Sequence, residues 1–140
     1  SKLEVGEHYY SREIVFKILR VKMDKKYMAV KYYNPRWSRI EFGTRFRAEW
    51  DFAKEARKAT DEEIKLFKRA EMYHKHGRKL DELKSGDFVH YINENNERTS
   101  SPRMPYDNVP AWIETIQRGE GAIYLTAEEH HEAHKKIAGE

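Results

Sequence analysis

His130 and His134 stand four residues apart, a spacing that brings two imidazoles to one side of a helix, where they can share a metal ion. The zinc-protease pattern needs Glu directly after the first histidine. His131 occupies that place and Glu132 follows, so the pattern fails. A third ligand would have to come from afar, from His74, His76 or a carboxylate. A helix with two such histidines and no further ligand is ordinarily a wet surface, so no metal and no other cofactor is expected. His130 and His134 are the residues a metal would use if one bound. Two acid pairs, Glu62/Glu63 and Glu128/Glu129, each follow a threonine at capping-box spacing. Negative charge is favourable in the first turn of a helix, so capping explains these pairs more cheaply than acid/base work. Glu41 between Arg39 and Arg45 has no specific catalytic spacing. There is no Gly-rich phosphate loop, no Gly-x-Ser-x-Gly and no cysteine, so no enzyme is expected.

The clearest chemistry is binding, and it lies between Arg39 and Trp50. Ile40, Phe42, Thr44, Phe46, Ala48 and Trp50 share one parity, and Arg39, Glu41, Arg45, Arg47 and Glu49 the other. Period two is the pattern of a strand with one buried and one wet face, and the wet face would carry three arginines. Lys17, Arg20, Lys22 and Lys31 could join them from neighbouring strands, with Tyr32, Tyr33 and Trp37 nearby. Arginine, tyrosine and tryptophan are the residue types enriched in protein-interface hot spots. The same mixture can neutralise phosphates and stack on bases. The expected partner-binding residues are Arg39, Arg45, Arg47, Lys31, Tyr33 and Trp37. Arg103 joins them from a proline-bearing loop with Met104.

Those side chains need a sheet to hold them. Leu3–Tyr10 reads as a lead-in, with a turn at Gly6. Residues 13–23 read as a strand whose parity switches near Ile18 and Leu19, the mark of a β-bulge or of a strand buried on both faces. Tyr27–Tyr33 is a second strand, ended by Asn34-Pro35, and Arg39 to about Arg47 is a third. Beyond Arg47 the chain reads as helix or irregular structure to Ala59, with strand or helix left open over 48–59. Thr60–Glu63 is a capping box, and Ile64, Phe67, Ala70 and Tyr73 recur at helical spacing, so a helix is expected over 61–76, stopped by Gly77. Beyond it the pattern predicts a strand over 88–92, an irregular loop over 98–110, and a helix from Pro110 to about residue 118. A strand over 122–125 and a last helix over 127–138 follow. The expected fold is α+β: an N-terminal antiparallel β-meander packed on a helix, with a smaller C-terminal α/β lobe.

A chain of 140 residues suits a single domain with two lobes. Residues 1–79 carry 21 Lys and Arg against 12 Asp and Glu, while residues 80–140 carry 6 against 12. A basic lobe (1–79) and an acidic lobe (80–140) suggest electrostatically steered contact. No run approaches the length of a membrane span and no apolar leader precedes Gly6, so a cytoplasmic protein without membrane contact is expected. High Glu, Lys and Arg with a single glutamine is a thermophile-like composition.

In size, charge, lack of cysteine and lack of enzymatic motifs, the chain resembles the small accessory proteins with which phages redirect host machinery. Among them it is similar to the antitermination inhibitors of Thermus phages that bind host RNA polymerase. The resemblance is one of bulk properties and transfers no residue roles. It implies a location in the host cytoplasm, a partner formed by polymerase flap and σ-factor surfaces, and regulation by contact. The expected function is therefore non-enzymatic docking on a large host complex, with RNA polymerase first. The alternatives are nucleic-acid binding through the same arginines and a metal-dependent hydrolase.

Overall fold

The computed structural model describes residues 3–22, 26–124, 129, 131, 132 and 135. Gly6, at φ 88°, turns the chain into β1 (His8–Ser11). Arg12 and Glu13, both left-handed at φ 47° and 70°, then form the tight turn into β2 (Ile14–Lys22). β3 (Tyr27–Asn34) and β4 (Arg39–Arg47) complete the antiparallel meander. Asn34 and the turn after it define the β3–β4 hairpin tip: the Asn34 side-chain carbonyl accepts from the Arg36 amide at 3.0 Å. A short helix α1 (Asp51–Lys54) and a two-residue strand β5 (Arg57–Lys58) occupy the stretch whose pattern was ambiguous. β5 pairs with β1, giving a five-stranded sheet in the order β4-β3-β2-β1-β5.

Register decides what each face carries. Tyr9, Phe16, Tyr32 and Glu41 align across the sheet on one face, as do Ile18, Val30 and Gly43. The apolar members of this face pack with Met28, Phe46, Ala53 and Ala56 into one core. Ser11 Oγ donates to the Phe52 carbonyl at 2.6 Å and ties α1 down over it. His8, Lys17, Lys31 and Phe42 align on the opposite face, beside Tyr10, Val15, Tyr33 and Ile40. That face meets α2 (Asp61–Lys75): the His8 ring sits edge-on to Phe67 at 5.0 Å, and Lys31 Nζ lies 2.7 Å from Glu71. The sheet is thus buried on both faces, which is why β2 and β3 read as nearly continuous apolar runs.

Both expected helix-start signals of α2 form. The Thr60 hydroxyl accepts from the Glu63 amide at 3.2 Å, and the Glu63 carboxylate accepts from the Thr60 amide at 2.9 Å. The chain divides into two compact units, Ser1–Glu71 and Met72–Glu140, with the boundary inside α2. In the second unit β6 (Phe88–Ile92) pairs with both β7 (Arg98–Ser100) and β8 (Gly121–Tyr124). Helix α3 (Pro110–Gln117), started by proline at its first position, supplies Ile116 to a core with Tyr73, Leu83, Val89, Met104 and Ile123. β7 corrects the expectation of an irregular stretch over 98–110. The last helix expected over 127–138 falls largely outside the described residues; Glu129, His131, Glu132 and Lys135 are helical. No helix among the described residues is long and apolar enough to cross a membrane.

Candidate functional site

The expected row of three arginines does not form, and the register explains why. Met28 faces Phe46 and Val30 faces Gly43, so one residue of β3 stands opposite two, Thr44 and Arg45, of β4. That is a β-bulge, and it reverses the parity of everything after it. Arg39 and Glu41 share the α1 face of the sheet with Phe46, whereas Arg47, opposite Tyr27, falls on the α2 face with Phe42 and Ile40. Phe42, expected in the core, is 54% exposed.

The bulge instead builds a groove. An open apolar cavity of about 500 Å³ lies on the α1 face, walled by Phe16, Phe46, Trp50 and Phe52, floored at Gly43, with Arg45 at its rim. The rings support one another: Phe46 contacts Phe16, Trp50 and Phe52 at centroid distances of 5.4, 5.7 and 5.6 Å. Trp50 keeps 46% of its surface in water although it belongs to this cluster. A β-carbon at position 43 would meet Val30 Cγ2 at 3.3 Å, so glycine is what keeps the floor low.

Charged side chains stand along the hairpin that carries the groove. Glu41 is held on both oxygens: Tyr32 Oη donates to one at 3.1 Å and Asn34 Nδ2 to the other at 2.8 Å. Burial first, then this hydrogen bond, raises the Tyr32 pKa, so the phenol stays protonated and keeps donating. Arg36, Arg39 and Arg45 are all exposed, and none has a carboxylate partner among the described residues. Arg36 stacks on Trp37 at 5.3 Å, and Trp37 is 53% exposed at the hairpin tip. Trp37, Arg39, Arg45 and Trp50 therefore belong to one exposed hairpin and the segment that follows it.

The remaining expected binding residues are elsewhere. Arg47 is engaged by its own chain at the surface: it donates to Glu49 at 2.9 Å, bonds to the Tyr27 hydroxyl and lies over that ring at 4.7 Å. Lys31 is paired with Glu71, and Tyr33 is 7% exposed, a core residue. Arg103 belongs to the second unit, 5.9 Å from the Phe88 ring centroid. Trp50 and Phe52 were missed as site residues; the signal was an apolar pair beyond the end of a charged strand. His130 and His134 lie outside the described residues, and no group of three or more metal-ligand side chains occurs among those described. His76, proposed as a distant ligand, has a buried side chain, and that burial lowers its pKa against the opposing pull of Glu129, 3.8 Å away.

Fold and site together define an α+β protein that presents an apolar aromatic groove, with Arg45 at its rim, on one face of an antiparallel sheet. Comparison with protein families, with characterised proteins and with solved structures returns no match.

Proposed function

We propose that this protein works by contact, docking its groove and hairpin tip onto an acidic patch of a protein partner that inserts an apolar side chain into the groove beside Trp50. The observation that carries this reading is Arg45: a guanidinium without a carboxylate partner among the described residues, set at the mouth of an aromatic cleft. An arginine beside a partly exposed tryptophan is the composition of an interface anchor, where a charge-assisted hydrogen bond and ring burial reinforce each other. Nothing in the groove activates a nucleophile, because its lining is apolar apart from Tyr32 and Arg45. RNA polymerase is the first candidate partner, on the resemblance in size and composition, and modulation of transcription is the corresponding role.

The test compares retention of purified RNA polymerase holoenzyme by the immobilised wild-type chain with retention by Arg45→Glu and Trp50→Ala. The reading expects retention by the wild type and loss in both variants. No retention by the wild type removes polymerase as the partner. Retention that both variants preserve removes the groove. Retarded migration of DNA or RNA at low salt, abolished by Arg45→Glu, would transfer the site to nucleic acid.

A further inference from the structure

β4 ends the sheet, and its outer edge has no neighbouring strand among the described residues. We infer that this edge takes up an extended segment of a partner protein, with an apolar residue at its centre and carboxylates towards its ends, added to the sheet as a further strand. The inference rests on the protein-docking reading and specifies the form in which the partner makes contact.

The backbone supplies the affinity. In an edge strand alternate residues direct their N–H and C=O groups outward, and an incoming strand satisfies them. The bulge at Thr44 and Arg45 interrupts the ladder, so the regular docking length is the run Arg39–Gly43. A short run of this kind suits a segment of a partner better than a whole sheet.

The side chains supply the pattern. A strand laid beside β4 places successive side chains on opposite faces of the sheet. On the α1 face they meet Arg39 at one end of the run and, at the bulge beyond its other end, Arg45, whose charges call for carboxylates. On the α2 face they meet Phe42, whose ring is 54% exposed at the edge and calls for an apolar cover. The one carboxylate of the run, Glu41, keeps its charge while it accepts from the neutral Tyr32 and Asn34, and Arg39 and Arg45 flank and outnumber it, so an incoming strand meets its positive charge at the two ends.

A second copy is the competing occupant: antiparallel self-pairing centred on Phe42 would set Arg39 of each chain opposite Arg45 of the other, which is unfavourable, whereas pairing centred on Ile40 would set Arg39 opposite Glu41, which is favourable. Self-pairing at this edge is therefore one of the outcomes that the test distinguishes.

A random-peptide display library selected on the full chain tests this. The enriched peptides should carry Asp or Glu on both sides of a central apolar residue. Binding of a synthesised winner should fall about tenfold when alternate backbone amides are N-methylated, and about tenfold again with Arg39→Glu or Arg45→Glu. Hydrogen exchange should show new protection at amides of Arg39–Gly43 in the complex. Circular dichroism checks that the variants fold, and the N-methylated peptides leave the protein untouched. The inference is overturned if no peptide is enriched, if N-methylation is tolerated, if protection appears elsewhere, or if the chain pairs with itself at this edge. Tolerance of N-methylation, with polymerase retention still dependent on Arg45 and Trp50, would remove strand addition and leave groove docking standing. Loss of that dependence as well would remove both.

Discussion

Phe16 and Trp50 wall the same groove, yet their exposures assign them opposite duties. Phe16 is 1% exposed and touches Tyr9, Phe46 and Phe52, so Phe16→Ala leaves a cavity at the centre of the first core. Its cost should be about 3–5 kcal/mol, read as a lower urea midpoint with unchanged slope. Trp50 is 46% exposed, and its main fixed partner is the Phe46 edge. Trp50→Ala should cost less than about 1 kcal/mol in the same measurement while abolishing docking. A large stability loss for Trp50→Ala would make the ring a structural member and weaken the site. In the second unit the decisive residue is Asp87. Its carboxylate is 3% exposed, accepts from Arg78 at 2.7 and 3.0 Å, and accepts from the Lys84 amide at 2.8 Å. Asp87→Ala would leave a guanidinium that is only 10% exposed without its counter-charge. A loss of about 3–5 kcal/mol is expected in denaturant unfolding.

At the scale of elements, the first turn of α2 holds an acid-sensitive contact. Glu63 is held by Arg57 at 2.8 and 2.9 Å and by the Thr60 amide, and the Arg57 hydrogen bonds lead in lowering its pKa from 4.5 to about 2. A depressed carboxyl pKa contributes stability that is fully present above the unfolded value and is lost as pH falls through the folded one. The Glu63 contribution should therefore fade between about pH 4.5 and pH 2, and Glu63→Gln should flatten urea midpoints across that window. An equally steep acid dependence in the variant would show that other carboxylates govern it. This helix was legible because its signals are local: a cap, a period and a stop. The elements that escaped are those whose signals are not local. β1 was hidden because its turn into β2 uses Arg12 and Glu13 at positive φ, where asparagine or glycine would have announced it. β5 and β7, of two and three residues, are too short to show a period. The β2 bulge at Leu19 was readable because the apolar parity switches there. The β4 bulge was not, because Phe42 and Phe46 keep one parity in sequence while register sends them to opposite faces. Gly43, a glycine inside a strand, was the one available warning.

Across the whole molecule, charge is divided between the two units. Residues 1–71 carry 18 Lys and Arg against 12 Asp and Glu, and residues 72–140 carry 9 against 12. The positive excess belongs to the unit that holds the groove. Its exposed guanidiniums at Arg36, Arg39 and Arg45 lie on one hairpin, while Arg12, Arg47 and Arg57 are each paired with a glutamate. Such an arrangement acts mainly during approach: the field of the basic hairpin reaches about a Debye length, roughly 8 Å at physiological salt, and orients an acidic surface before contact. Association with the partner should therefore slow about tenfold or more between low and high ionic strength, with dissociation changing much less. Combined Arg36→Gln, Arg39→Gln and Arg45→Gln substitution should remove most of that salt dependence, whereas Arg118→Gln in the second unit should leave it intact. Stopped-flow association across a salt series measures both. Equal sensitivity to the two sets of changes would mean that net charge, and not the hairpin, steers the encounter.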